Sequence, residues 1–175
     1  MLHIEGLTVT FARGTVNEHR ALDDLTLHVA KGEFVTVLGS NGAGKSTLFH
    51  AICGTCLPER GSILLDGQDI TLLPEHRRAR SVGRLFQDPM KGTAPDMTIE
   101  ENLALAYARS SRGPFSRGVR KEDQAFFRAR LSAFGMGLED RMKTKVGLLS
   151  GGQRQAMTLL MATVASPKLL LLDEH

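Results

Sequence analysis

Two stretches of alternating apolar residues near the start of the chain predict the first pair of β-strands. Within each stretch the apolar side chains stand at every second position: Leu7, Val9 and Phe11 in the first, and Leu25, Leu27 and Val29 in the second. Alternation with a period of two puts such side chains on one face of a strand. We therefore expect two half-buried strands, joined by the polar residues between them.

A short apolar run, EFVTVL at 33–38, comes next and ends at Gly39. Continuous runs of this length, rich in β-branched residues, are typical of strands covered on both faces, so we expect a buried central strand here. After a glycine-rich loop, apolar residues return at helical spacing and predict a helix that stops near Gly54.

Turn and capping signals predict where several further elements begin. Asp66-Gly67 lies between two apolar runs and is typical of a hairpin turn. Thr98 and Glu101 have the spacing of a capping box, which predicts a helix from that point. A further helix is expected directly after Ser150, and the break at Pro167 ends it.

The second half of the chain adds a basic helix and a last strand. The linker-like stretch 110–118 precedes a helical pattern with four apolar positions: Phe126, Phe127, Leu131 and Phe134. The aliphatic run Leu169–Leu172 predicts a strand. Strands and helices thus intermix along the chain, which is typical of an α/β protein.

Composition narrows the class without deciding it. The chain has 175 residues, 42% of them hydrophobic, which suits one globular domain and excludes a disordered or fibrous protein. The longest aliphatic run, Leu169–Leu172, is too short to span a bilayer, and Glu5 interrupts any secretory pattern at the start. A net charge of +3 neither demands nor excludes a nucleic acid.

The cysteines and the basic cluster each have two interpretations. Cys53 and Cys56 form a lone C-x-x-C with no second ligand pair, which favours small packing residues over a metal or redox site. The basic side chains of the helical region favour a solvated face over a contact with lipid headgroups or an acidic partner. They are Arg112, Arg117, Arg120, Lys121, Arg128 and Arg130.

The strongest chemical signal is a phosphate-binding loop. The segment 39–46 reads GSNGAGKS and matches the pattern G-x-x-x-x-G-K-S between a predicted strand and a predicted helix. The glycines let the backbone N–H groups curl inward, and the start of the helix adds its positive dipole end. Lys45 can reach the β- and γ-phosphates, and the Ser46 hydroxyl can ligate Mg²⁺. The chain is therefore predicted to bind a nucleoside triphosphate.

Three further motifs follow in order along the chain. Phe86-Gln87-Asp88-Pro89 ends a strand-like run, Leu149-Ser150-Gly151-Gly152-Gln153 opens a helix, and Asp173-Glu174 ends the last aliphatic run. Each has a simpler interpretation by itself: a solvated residue at a strand end, a capping box, and exposed acids after a strand. Their order and spacing relative to the phosphate loop favour a common site.

With these motifs the whole chain resembles the ATP-binding cassette (ABC) ATPase family. The resemblance implies a P-loop NTPase fold: a RecA-like core sheet, an N-terminal antiparallel β-subdomain and a small helical subdomain. It implies one domain, with core and β-subdomain at about 1–97 and 146–175 and the helical subdomain at about 98–145. ATP and Mg²⁺ are the implied cofactors.

Site roles carry over from the family onto matching positions. The resemblance implies that Glu174 is the general base and that Gln87 contacts the metal and the attacking water. It implies that Phe11 stacks on adenine, against the simpler interpretation of a core phenylalanine. The implied metal ligands are Ser46, Gln87 and Asp173. The implied nucleotide-binding residues are Phe11, Gly39, Ser40, Asn41, Gly42, Ala43, Gly44, Lys45, Ser46, Thr47, Ser150, Gly151, Gly152 and Gln153.

The family also implies partners. Two cassettes pair head to tail, so that the signature helix of one copy closes the nucleotide site of the other, and permease subunits in the membrane respond. The sequences of several segments, including His175 after Asp173-Glu174, resemble those of a bacterial importer subgroup. This implies a peripheral protein on the cytoplasmic face of the inner membrane, working with a substrate-binding protein and without nucleic acid.

One departure from the family pattern gives the remaining expectations. The chain stops at His175, before the family's D-loop, switch histidine and last strands, so we expect a C-terminally truncated cassette that is poorly stable and inert in hydrolysis by itself. A nucleotide-binding fragment without turnover is therefore one alternative function. Another is a non-transport ABC ATPase of repair or translation, which the short distance between phosphate loop and signature disfavours.

Overall fold

A computed structural model describes residues 1–86, 88, 90–111 and 119–173. The chain divides into two compact units, 1–79 and 80–175. The first contains β1 (Leu2–Phe11), β2 (His19–Val29), α1 (Lys45–Cys53), β3 (Arg60–Leu65), β4 (Gln68–Asp69) and α2 (Glu75–Arg78). The second contains β5 (Val82–Leu85), α3 (Ile99–Ser111), α4 (Lys121–Ser132), a 3₁₀ turn (Val146–Leu148), α5 (Gly151–Thr163) and β6 (Leu169–Leu172).

An antiparallel sheet with strand order β2-β1-β3-β4 dominates the first unit. The predicted first two strands are confirmed, and Leu7 and Val9 lie in the core, although Thr8 between them is buried as well. The predicted hairpin is confirmed as well: Asp66 and Gly67 both have positive φ, 51° and 77°, as a tight turn between β3 and β4 requires.

The predicted central strand at 33–38 is wrong. The two sheets of the described residues comprise β1–β4 and β5–β6, and neither includes this segment. Phe34 and Leu38 are 84% and 87% exposed. The run is apolar enough for a buried strand, but a strand forms only where neighbouring strands satisfy its backbone groups, and the residues of the run do not encode that neighbour.

Helix α1 ends on a buried arginine. Gly54 terminates the helix with φ 87°, as predicted, and its N–H donates to the carbonyl of His50 at 2.9 Å. The Arg78 side chain is buried and donates to four carbonyl oxygens, those of Ala51 (2.6 Å), Ile52 (3.2 Å), Thr71 (2.8 Å) and Leu73 (2.7 Å). One guanidinium thus satisfies acceptors at the end of α1 and in the segment before α2.

We expect Arg78→Lys to lower the free energy of unfolding by about 2 kcal/mol, because one ammonium cannot reach all four carbonyls and each unsatisfied buried acceptor costs ~1–3 kcal/mol. Urea unfolding followed by circular dichroism measures the change. The matched control is Arg77→Lys, since Arg77 is the exposed neighbour on α2. Equal effects of the two substitutions would contradict this role of Arg78.

Helices pack around a continuous apolar core in the second unit. Its fully buried members are Ile99, Leu103, Phe127, Leu131, Leu138, Val146 and Met157. Strands β5 and β6 run parallel, with Val82 opposite Leu169 and Leu85 opposite Leu172. Both of these strands and the helices predicted after Thr98, in the basic segment and after Ser150 are therefore confirmed.

The interspersed helices and strands confirm the predicted α/β class. The finer division at 97 and 146 stays a prediction.

Cys53 is buried in α1, in keeping with a packing role. Arg112 and Arg117 lie outside the described residues, whereas the exposed Arg128 donates to the carbonyl of Glu139 at 2.8 Å. Within the described ranges no helix is long and apolar enough to cross a membrane.

Candidate functional site

The phosphate loop curls around the side chain of its own lysine. The Lys45 ammonium donates to the carbonyl oxygens of Gly39 and Ser40 at 2.6 and 2.9 Å, and the Ala43 N–H closes a turn onto Ser40 at 3.2 Å. These bonds hold the cationic head over the loop. The predicted loop thus carries one positive charge, that of Lys45.

Two glycines of the loop are required by its geometry. Gly42 and Gly44 have φ of 84° and 87°, a conformation that residues with a Cβ rarely adopt. A Cβ on Gly44 would also lie 2.4 Å from the carbonyl oxygen of Ala21, at the edge of β2. The glycine spacing of the motif therefore reflects both the curl of the loop and its close approach to β2.

The start of α1 is suited to an anion. Gly44 is the N-cap of this helix and makes no side-chain hydrogen bond to the first N–H groups, which are those of Lys45, Ser46 and Thr47. These donors and the helix dipole all point out of the helix toward the loop. A phosphate group placed there would satisfy the donors that a serine or aspartate cap satisfies in ordinary helices.

Phe11 is the last residue of β1 and pairs in register with His19 of β2. Its side chain is 43% exposed, so the alternative of a core phenylalanine is not supported. An exposed aromatic ring at a strand end offers a flat apolar surface, as stacking on a purine base requires. Adenine stacking by Phe11 is a proposal.

The predicted capping box at the start of α5 is confirmed. The Gln153 N–H donates to the Ser150 hydroxyl at 3.3 Å, and the Ser150 N–H donates to the Gln153 side chain at 3.2 Å. The box at the start of α3 is tighter: the Thr98 N–H and hydroxyl both donate to the Glu101 carboxylate at 2.7 Å. Those two bonds hold the pKa of Glu101 below its usual value.

The first turn of α5 opens with two exposed glycines. A Cβ built on Gly151 or Gly152 would have no neighbour within 4 Å among the described residues. Glycine costs a helix about 1 kcal/mol relative to alanine, and nothing in the described fold requires it here. Capping alone therefore does not account for the two glycines of this turn.

Arg154, the residue after Gln153 in α5, stabilises this turn. Its guanidinium donates to the carbonyl oxygens of Gly147 at 3.2 Å and Leu149 at 2.9 Å. These bonds tie the 3₁₀ turn to α5 and so position Ser150 between them. Sequence reasoning did not single out Arg154; its place one residue after the predicted signature was the available signal.

Asp173 follows β6, and its N–H donates to the carbonyl of Leu85 at 3.2 Å, which extends the pairing with β5. Its carboxylate forms an ion pair with Arg84 of β5 at 3.2 Å, and the Arg84 side chain is only 15% exposed. The same guanidinium lies over the ring of Phe86, 4.6 Å from the centroid. Arg84 was also missed from the sequence, although a charge inside an apolar strand is a signal for such a partner.

The two residues proposed for hydrolysis, Gln87 and Glu174, lie outside the described residues, as does His175. The described candidates fall into two groups. Phe11 and the loop 39–47 belong to the first unit, and Ser150–Gln153 and Asp173 belong to the second. Their roles in the site stay proposals.

Comparison with known proteins places these features in one family. The sequence pattern of the ABC transporter family matches residues 22–175. The chain is 40% identical to the tyrosine transport ATP-binding protein of Clostridioides difficile, over all of this chain and 69% of that protein. It is 37% identical to the Fe(3+) ions import ATP-binding protein FbpC of Streptomyces coelicolor, over 99% of this chain and 45% of that protein.

The fold comparison agrees. A solved ATP-binding cassette, a dimer in a post-hydrolysis state bound to ADP and Pi, superimposes with a TM-score of 0.81 at 27% identity and covers 99% of this chain and 73% of that one. The predicted P-loop NTPase fold is thereby confirmed. The chain belongs to the ABC transporter family, as one of its ATP-binding cassettes.

Proposed function

We propose that this protein is the ATP-hydrolysing subunit of a bacterial ABC importer. The observation that carries the proposal is the start of α1, where a glycine cap leaves the first N–H groups to a ligand and Lys45 is held over the loop. Phosphate oxygens would accept from these N–H groups, and the Lys45 ammonium would move from Gly39 and Ser40 to the β- and γ-phosphates. Phe11 would stack on the adenine.

The described oxygen donors fit Mg²⁺, which prefers hard carboxylate and hydroxyl ligands. Ser46 is exposed in the first turn of α1, and Asp173 carries a carboxylate that is 24% exposed. With Gln87 they would hold the ion, which when bound neutralises charge on the transferred phosphoryl group. Glu174 would accept a proton from the attacking water.

A second copy of the cassette would complete the site. Gly151 and Gly152 present backbone N–H groups at the start of α5 without side chains in the way. These donors, the Ser150 hydroxyl and the helix dipole suit the γ-phosphate of a nucleotide held by another chain. ATP would then join two copies head to tail, and hydrolysis would release them.

We expect Ser150→Ala and Thr98→Ala to destabilise the protein by similar amounts, about 1 kcal/mol each, because both remove a helix cap. Only Ser150→Ala should also lower phosphate release, by about tenfold or more, since a donor to the transferred group is lost. Thermal unfolding and steady-state phosphate release measure the two effects. Equal phosphate release in the two variants would mean that Ser150 is a cap and nothing more.

The importer assignment rests on the relatives. The iron and tyrosine proteins above and a spermidine/putrescine import ATP-binding protein of Protochlamydia amoebophila, 35% identical, bear names of uptake systems. The 40% identity along the whole chain supports tyrosine or a similar amino acid as the cargo. The protein would lie on the cytoplasmic face of the membrane with permease subunits and a substrate-binding protein.

Uptake of labelled tyrosine tests the assignment. Deletion of the gene should abolish uptake, and the wild-type gene should restore it whereas Lys45→Ala should not. Unchanged uptake on deletion would contradict this cargo.

A further inference from the structure

Two histidines face each other across the first two strands. His3 of β1 and His28 of β2 are cross-strand partners in register, and both are exposed. Their Nδ1 atoms lie 2.9 Å apart, with ring centroids separated by 4.1 Å. One ring donates from Nδ1 and the other accepts at Nδ1, so the two inner nitrogens share one proton.

The bond between the two rings requires that one Nδ1 carry a lone pair. A neutral ring keeps a lone pair on a ring nitrogen, which is the form that binds metal ions. Neither histidine is among the residues proposed to bind or hydrolyse ATP, so the proposed ATPase chemistry does not use the pair.

We propose that His3 and His28 form a bidentate surface site for a divalent transition metal that prefers tetragonal geometry, Cu²⁺ above all. Two imidazole nitrogens bound at about 2.0–2.1 Å from one ion and at a right angle to each other lie about 2.9 Å apart. The observed Nδ1–Nδ1 distance of 2.9 Å matches that separation. Tetrahedral ligation would need about 3.3 Å, which disfavours Zn²⁺.

Binding needs no net loss of a proton at neutral pH. The ring that donates from Nδ1 shifts its proton to Nε2, which leaves both Nδ1 lone pairs free for the ion. Water completes the coordination, because within the described residues no cluster of three or more His, Cys, Asp or Glu side chains forms a metal site. Imidazole ligands and the order of divalent affinities both favour Cu²⁺ over Ni²⁺ and Zn²⁺.

The consequence for the fold is a metal bridge between β1 and β2. These strands pair from Leu2–Val29 to Phe11–His19 with register shifts along the way, and the ion would join them near one end of that ladder. An ion that binds only the folded form stabilises it by RT ln(1 + [ion]/Kd), so the melting temperature rises with the logarithm of the ion concentration once that concentration exceeds Kd. Thermal unfolding thus gives a readout that does not depend on nucleotide.

The test is a titration of the chelator-stripped protein with CuSO₄, followed by calorimetry, electron paramagnetic resonance and thermal unfolding. We compare wild type, His3→Gln, His28→Gln and His19→Gln. The last is the matched control, an exposed histidine at the other end of β2. Wild type and the control should bind one Cu²⁺ with an axial signal and a raised melting temperature, and each of the other two variants should bind about 10²-fold more weakly, because the second ligand acts at high effective concentration.

Two results would overturn the proposal. Equal weakening in all three variants would show binding that does not depend on the pair. Full affinity in His28→Gln together with loss in His3→Gln would assign the ion to the amino terminus and the adjacent backbone rather than to the two strands. Neither result bears on ATP binding, so the proposed function is tested separately.

Discussion

Lys45→Ala is expected to weaken ATP binding by at least about 10²-fold. The ammonium is held over the loop, where it donates to the carbonyl oxygens of Gly39 and Ser40. A hydrogen bond to a charged group contributes ~1.5–3 kcal/mol, and about 1.4 kcal/mol is a factor of ten in affinity. Loss of the bonds to two phosphates should therefore weaken the affinity for ATP by more than two factors of ten. Fluorescence titration with a labelled ATP analogue measures the change.

The matched control for this experiment is Lys31→Ala. Lys31 is an exposed lysine of the same unit, in the loop after β2, so its removal changes net charge equally. Its affinity for the analogue should match that of the wild type. If Lys45→Ala also retained wild-type affinity while folded by circular dichroism, the loop would not be the nucleotide site.

Glu174→Gln should leave ATP binding intact and lower kcat by about 10²–10⁴-fold, the usual contribution of a general base. The amide preserves size and hydrogen bonding but cannot accept the proton of the attacking water. ATP that binds without turnover should then hold two copies together. Both effects are measured on the protein as the cell makes it. Steady-state phosphate release gives the turnover, and size-exclusion chromatography with and without Mg-ATP detects the dimer.

Glu122→Gln is the control for that substitution, since Glu122 is exposed in the first turn of α4. It should hydrolyse ATP at the wild-type rate and remain monomeric under the same conditions. Wild-type turnover in Glu174→Gln would remove this residue from its proposed role. Loss of turnover without the ATP-dependent dimer would support Glu174 as the general base and contradict the head-to-tail arrangement.

Local signals in the sequence determined the parts of the fold that depend on a few adjacent residues. The glycines at 42 and 44 predicted the curl of the loop, and Asp66-Gly67 predicted a turn, because positive φ is a property of single residues. The capping boxes at Thr98 and Ser150 were likewise predictable, since both partners lie three positions apart. The family resemblance also rested on local motifs: the phosphate loop 39–46, Phe86–Pro89, Leu149–Gln153 and Asp173-Glu174.

Only the tertiary structure decided the contacts between distant positions. Sequence alone placed 33–38 in a buried strand, but the structure leaves this run outside both sheets. Three such contacts join residues far apart in the chain: the bond from Arg78 to the carbonyl of Ala51, the Arg84–Asp173 ion pair and the His3–His28 pair. Such pairs depend on strand register and packing. A hydrophobic pattern predicts which face of an element is buried, but not which residue of another element lies opposite it.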